Sequence, residues 1–241
     1  MVAIGGLLSR RGLLRQPRPS LADLRAAVRR FRRFPLVAMP SALVNSAGLE
    51  VPLLLVAALY GDVRAGLLGL TVRVVGGPSR VIGQAVHQVF SGESSAAIRE
   101  ARGTLGRTVR MSVRRLLLVG AVPAAVLLAA GPELFGLVFG PEWSEAGTYA
   151  RLLALAYLAQ FAVAPVSATL FLLERQGREL AWVVFRLVLT AGGPLACGLT
   201  GAPATAAIAA LAAGHVLSYL VLYRLCVRAA DDADLAFRAR T

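Results

Sequence analysis

Six stretches of mostly apolar residues set the limits on this chain: Pro35–Tyr60, Ala65–Phe90, Leu116–Phe139, Ala146–Leu173, Leu180–Leu199 and Pro203–Val227. Each has about 20 residues or more, and at a helical rise of about 1.5 Å per residue that length crosses roughly 30 Å of hydrocarbon. No water reaches the backbone inside a bilayer, so a spanning segment must satisfy its own N–H and C=O groups, as a helix does. Composition agrees: 57% of residues are hydrophobic, 16% are charged and the mean hydropathy is +0.67, a balance that suits lipid as the solvent. The expected fold class is an all-α integral membrane protein, a bundle of six transmembrane helices.

The links between the stretches alternate in character. Gly61–Arg64, Gly140–Glu145 and Thr200–Ala202 are very short, which predicts three tight antiparallel hairpins. Arginine then sets the direction of insertion. All 26 basic residues are Arg; nine lie before Pro35, six in Ser91–Arg115, two in Glu174–Glu179 and four from Arg224 onward. Arg64 and Arg151 fall on the opposite side, while Arg73, Arg80 and Arg186 lie within the stretches. Basic residues gather on the cytoplasmic side of membrane helices, so both termini are expected in the cytoplasm. The chain accordingly divides into a basic arm over 1–34, the bundle over 35–227 and a cytoplasmic tail over 228–241.

The arm carries Ser20 as an N-cap with Asp23 as the acid of a capping box. Leu21, Leu24, Val28 and Phe31 come next at helical spacing, with Arg25, Arg29, Arg30, Arg32 and Arg33 between them. A basic amphipathic helix of this kind suits a surface of anionic membrane lipids. Residues 94–115 read as a second, weaker one, and the tail with Asp231, Asp232 and Asp234 as a solvated end. The net charge of +13 raises nucleic acid as a partner. Aromatic residues are few, however, and the arginines sit beside apolar stretches, which points to a membrane face and to no nucleic acid. Cys197 and Cys226 lack CxxC spacing and read as packing residues. Val2–Leu8 precedes Arg10 and Arg11, the reverse of the order in a secretory signal, so no cleavable signal is expected. No Ser/His/Asp set, paired carboxylates, metal cluster or phosphate loop is recognisable; the chain is expected to be no enzyme and to hold no cofactor or metal.

Chemistry concentrates inside the second stretch. Arg73, Arg80, Gln84, His87 and Gln88 fall within roughly a third of the circumference of a helix turning about 100° per residue. Charge in hydrocarbon is costly, so such residues turn towards a bundle interior or a watery cavity. Gly69, Gly76 and Gly83 recur every seven residues beside this stripe, a strip expected to admit another helix backbone. The Gly76-Gly77-Pro78 run is expected to kink or open the helix. Glu50 is the natural partner of Arg73: measured from the Gly61 turn, they lie about 15–17 Å and about 12 Å deep. Arg80 has no carboxylate in its own hairpin and is the better candidate for an anionic ligand, which a guanidinium grips bidentately. Arg186 lies about 10 Å inside its stretch, where it either snorkels to the interface or meets ligand. His215 reads as a hydrogen-bonded packing residue, and Asn45, Gln84, Gln88 and Gln160 as interhelical or sugar-facing groups.

Three segments carry a resemblance. The pattern AGLLGLTVRVVGGPSRVIGQAVHQVFSGESSAA resembles a stretch of bacterial polysaccharide-export flippases written approximately as aGLYaLaxRvxxxPxxlIGxAxxQVFxxxxs. FGPEWSEAGTYARLLALAYLAQFAVAPVSATLFLLERQ is similar to the outer turn and following helix of the same proteins, and RRFRRFPLVAMPSALVNSAGLEVPLLLVAALYG to the entry helix of their second half. Over roughly residues 29 to 228 the chain resembles the C-terminal half of a lipid-linked oligosaccharide flippase of the multidrug/oligosaccharidyl-lipid/polysaccharide exporter superfamily. The resemblance implies one of two six-helix bundles around a central cavity, alternating access, and a bacterial cytoplasmic membrane. Arg73, Arg80 and Gln84 match recurring motif positions.

The expected function is translocation of a lipid-linked glycan in polysaccharide export. Arg80 leads as the phosphate contact, Arg73, Arg186 and Gln84 stand behind it, and a second six-helix half completes the cavity. The alternatives are a non-transporting scaffold or half-module in polysaccharide biosynthesis, and a drug or metabolite exporter coupled to an ion through Glu50.

Overall fold

The computed structural model describes residues 39–100 and 103–239; the basic arm and its amphipathic helix lie outside them. Among the described residues every regular element is helical. Helix α1 is Met39–Tyr60, α2 Asp62–Thr71, and a π-helical turn, Val72–Gly76, joins α2 to α3, Gly77–Arg99. Then come α4 (Leu105–Phe139), a 3₁₀ turn (Pro141–Trp143) and α5 (Ser144–Val163). A second 3₁₀ turn, Ala164–Ser167, leads into α6 (Ala168–Leu172), followed by α7 (Gln176–Leu199) and α8 (Ala204–Arg238).

Five stretches are long and apolar enough to cross a membrane: Leu43–Tyr60, Leu105–Phe139, Pro141–Leu172, Gln176–Leu199 and Ala204–Phe237. The chain reads as a multi-pass membrane protein. Ala65–Phe90 is helical throughout but is not among those five, because its arginines, glutamines and histidine dilute the apolar run.

The reversals come where the short links predict them. At Gly61 (φ +87) and Gly140 (φ +112) the backbone takes a positive φ, open to glycine because it has no Cβ to clash. Two of the three expected hairpins pack along their length. In the α4–α5 pair the chain leaves helical geometry at Ala130 (φ −133, ψ 23), two residues before Pro132. Gly131 is thereby pressed against Gly147, where a Cβ would lie 2.7 Å from the Gly147 carbonyl oxygen. In the α7–α8 pair, a Cβ on Gly214 would lie 2.9 Å from the Leu189 carbonyl. The first hairpin instead opens. Past the Gly61 turn α1 leaves α2–α3 and runs along α7, while α3 packs on the 3₁₀ turn at Pro165 and on α6. Thr71 holds the junction: its buried hydroxyl lies 2.9 Å from the Ala146 carbonyl of α5.

At the opposite end from Gly61, two expectations need correcting. Residues 94–115 are not one amphipathic helix, because α3 ends at Arg99 and α4 begins at Leu105, with Gly103 at φ +61 between them. The segment from 228 continues α8 without interruption to Arg238, and Ala229 and Ala230 are fully buried. Its acids are tertiary connectors, not a solvated end. Asp234 accepts hydrogen bonds from the amides of Leu105 and Gly106, both at 2.9 Å. Asp231 takes Arg110 Nη1 on both oxygens at 3.0 Å, and Asp232 pairs with Arg175 at 2.8 Å. Together they fasten the end of α8 to the start of α4 and to the α6–α7 turn.

The glycine strip on the second stretch also differs from expectation. Gly69 and Gly83 face open space, and a Cβ on Gly76 would meet the Tyr157 ring at 3.2 Å. The close backbone approaches lie on α4, α5, α7 and α8 instead.

Candidate functional site

The hydrophobic core is split in two. One cluster, nearer the start of α1 and the end of α8, gathers Phe90, Val109, Trp182, Tyr219 and Leu222. The other, nearer the Gly61 turn, gathers Val56, Leu68, Tyr149, Leu153 and Ile208. Between them five helices carry polar groups: Asn45 and Glu50 on α1, Arg80 on α3, Gln160 on α5, Arg186 on α7 and His215 on α8. On α8, His215 separates Ala212 of one cluster from Tyr219 of the other; on α5, Gln160 separates Ala156 from Val163. A polar layer thus crosses the middle of an apolar bundle. Sites inside membrane proteins take this form, because a desolvated polar group is tolerated only where it has partners or lines a cavity.

The layer is hollow. Three adjoining recesses share Arg80 and Gln160 as lining residues. The first holds Glu50, Tyr157 and His215. The second holds Gln84 and His87, and the third Asn45, Glu179, Trp182 and Arg186. Arg80 stands where they meet and forms no hydrogen bond or ion pair among the described residues, although its side chain is exposed to the space.

Local structure explains how Arg80 arrives there. Pro78 has no N–H to give and its ring crowds the preceding turn, and the Val72–Gly76 segment widens into a π turn. Ser79 lends its hydroxyl to the Val75 carbonyl at 2.9 Å, satisfying part of the disturbed ladder, as hydroxyls do in proline-interrupted membrane helices. A π bulge absorbs about one extra residue and so rotates the downstream side chains by about 100° relative to the upstream ones. Arg73 lies within this turn and Arg80 beyond it, which separates two arginines that a straight helix would have aligned. Arg73 is exposed and lines none of the three recesses.

The ion pair expected between Glu50 and Arg73 is not formed; neither makes a salt bridge among the described residues. Glu50 shares a recess with Arg80 instead. Similar depth is not sufficient, because the π turn changes the side of the helix on which Arg73 emerges.

Arg186 does not snorkel. It is 3% exposed, with Nη2 bonded to the Asn45 carbonyl oxygen at 3.1 Å and to Asn45 Oδ1 at 2.9 Å. Its guanidinium carbon lies 5.2 Å from the centre of the Trp182 ring, a cation–π distance. Gly48 makes the room: a Cβ there would lie 2.9 Å from Nη2. No carboxylate lies within salt-bridge distance, and the buried Nε has no partner. Trp182 Nε1 donates to the Ser218 carbonyl at 2.7 Å, and Ser218 donates to that of His215 at 2.7 Å. This network fixes α7 on α8 behind the guanidinium. His215 stacks on Tyr219 with ring centres 5.8 Å apart and leaves Nδ1 buried and unpartnered.

Of the five polar residues in the stripe, the structure brings Arg80, Gln84 and His87 to one recess and leaves Arg73 and Gln88 outside it. His87 Nδ1 lies 3.1 Å from the Pro165 carbonyl, so the nitrogen that faces it carries the proton. Two lining residues escape a reading of the sequence. Tyr157 carries no polar pattern of its own. Glu179 falls by sequence in a loop, although its spacing of seven from Arg186 puts both on one face of a helix.

The arrangement presents two guanidinium groups, neither in an ion pair, in a recess otherwise lined by amides, aromatic rings, aliphatic side chains, the Ser167 hydroxyl and the carboxylate of Glu179. Comparison with family models, with curated proteins and with solved structures gives no match for this chain.

Proposed function

We propose that this chain is one six-helix half of an alternating-access flippase that carries a lipid-linked oligosaccharide across a bacterial cytoplasmic membrane for polysaccharide export. Both termini lie in the cytoplasm and Ala65–Phe90 is the sixth span. The observation that carries the reading is Arg80, unpaired at the meeting point of three recesses, one of which also holds the buried Arg186 with only neutral partners. A buried cation without a counter-ion, as Arg186 is, is costly. With the exposed Arg80 beside it around one space, it makes a seat for an anion that carries more than one charge, and the linked phosphates of a glycan carrier fit that chemistry. Gln84, Gln160 and Asn45 supply neutral hydrogen-bonding groups beside it. The lipid tail stays in the bilayer, and the second half closes the open side of the layer between α1 and α3.

The test is export complementation in a flippase-deficient strain, with the chain expressed alone and with a candidate N-terminal half. Arg80→Ala is expected to abolish export while the protein still reaches the membrane. Wild-type export by that variant would refute the assignment. Glu50, in the same recess as Arg80, favours a second reading, an ion-coupled exporter of drugs or metabolites. Loss of coupling in Glu50→Gln with arginine variants unaffected would select it.

A further inference from the structure

We infer that Glu179 couples anion binding at Arg80 and Arg186 to the uptake of one proton. The inference rests on the reading of those arginines as an anion site and adds a second bound species. Glu179 lies in the first turn of α7 and lines the recess that also holds Arg80, Arg186 and Gln176. It is seven residues before Arg186, two turns along the same face. Its carboxylate is half-buried and takes part in no salt bridge or side-chain hydrogen bond among the described residues.

The charged and titratable groups around it come from three helices. On α3 they are Arg80 and His87, and His87 is close enough to act on Glu179 electrostatically. On α8 they are Tyr219 and Cys226, both neutral in their ordinary range. On α7 itself, Arg175 is held by Asp232, Arg178 is exposed and Arg186 faces the recess. From α1 and α5 the facing polar groups are the neutral Asn45 and Gln160.

With the recess empty, the positive charge that Arg80 and Arg186 place on its walls opposes the cost that burial puts on an ionised Glu179. An anion carrying two charges reverses that effect. The carboxylate then stands beside like charge in a poorly hydrated space, and the neutral form is favoured. The step balances simply: one carboxylate takes one proton from water and no other bond changes. The loaded recess then holds two cations, two anionic charges and a neutral acid, close to the electroneutrality that a site inside a membrane requires. Linkage makes the effect reciprocal, so a bound proton tightens the anion as much as the anion tightens the proton. Affinity therefore rises as pH falls, by about tenfold per pH unit at most for one proton.

The experiment is isothermal titration of the full chain in detergent with farnesyl-diphospho-N-acetylglucosamine. Both phosphates of that probe are singly ionised and do not titrate between about pH 5.5 and about pH 8. Runs in two buffers of different ionisation enthalpy give the number of protons taken up. The expected result is uptake approaching one proton, with affinity falling towards the alkaline end. Glu179→Gln is expected to bind without uptake and without the pH slope, and Glu142→Gln, exposed and outside all three recesses, to keep both. Binding by the wild-type protein without proton uptake would overturn the coupling while leaving the anion site intact. Uptake that survives in Glu179→Gln would overturn the assignment to this residue. No binding at any pH would overturn the anion site, and the coupling with it.

Discussion

Asp234→Ala tests whether α4 is held by a cap supplied from another helix. The first residues of any helix leave N–H groups without partners, and α4 has no help from its own N-cap, since the Thr104 side chain makes no capping bond. Asp234 does that work across the bundle, one oxygen on the Leu105 amide and the other on the Gly106 amide, each at 2.9 Å. Losing a capping side chain costs about 0.5–2 kcal/mol, and hydrogen bonds to a charged group add about 1.5–3 kcal/mol in favourable cases. Asp234 is only half-buried, and water replaces part of what is lost. The net effect is therefore placed at about 1–2 kcal/mol, or roughly a 5- to 30-fold rise in opening of the first turn. Hydrogen exchange of the Leu105 and Gly106 amides in detergent reads this directly, and Leu105, 1% exposed, should report strongly. Asp234→Asn, which keeps an acceptor and loses the charge, is expected to fall between. Unchanged exchange at both amides in the alanine variant would show that the contacts carry no free energy and would refute the reasoning.

Gly147→Ala would drive a Cβ into the Gly131 carbonyl and the Pro132 backbone; overpacking against backbone costs about 1–3 kcal/mol or more, visible as a lower melting temperature, whereas Gly69→Ala faces open space and should be neutral or slightly stabilising. Thr71→Val removes the hydroxyl that bonds the Ala146 carbonyl, and the loss of that buried inter-helix hydrogen bond is expected to cost about 0.5–1.5 kcal/mol in the same assay. Arg80→Gln should weaken binding of farnesyl-diphospho-N-acetylglucosamine by at least about tenfold, the loss of one bidentate charge-assisted contact, with Arg73→Gln within about twofold of wild type; equal losses would refute the separation of the two side chains.

What the sequence makes legible is the part governed by local rules. The reversals at Gly61 and Gly140 arise from short links with glycine, and the interruptions near Pro78 and Pro165 arise from proline. The choice of Arg80 over Arg73 as the residue facing an open cavity rests on the lack of an obvious carboxylate in its own hairpin; Arg80 forms no ion pair among the described residues, although Glu50 of that hairpin lines one of its recesses. Asp231 and Asp234 are not legible, because their partners stand more than 100 positions away and an acidic tail looks the same whether solvated or docked. Arg186 is half-legible. Its depth is evident, but the direction of its side chain depends on Gly48 making room and on Asn45 facing it from another helix.

The π turn is where local and global information meet. Two arginines seven residues apart on a straight helix would emerge within about 20° of each other, and every reading of that stretch as one stripe depends on the helix being straight. Gly76-Gly77-Pro78 signals an interruption without giving its form: a proline can bend the axis with the phase kept, whereas a π bulge adds a residue to one turn and shifts the phase beyond it. The structure has a π turn at Val72–Gly76. Arg73 thereby leaves the cavity and leaves Glu50, and Glu50 shares a recess with Arg80 instead. Arg80 in turn is placed between a carboxylate on the Gly61 side, Glu50, and one towards the start of α1 and the end of α8, Glu179, with a lining position in both recesses and a bond to neither. A cation with two candidate counter-ions on opposite sides, and no present claim on either, is free to take a third, which is the property an anion site needs.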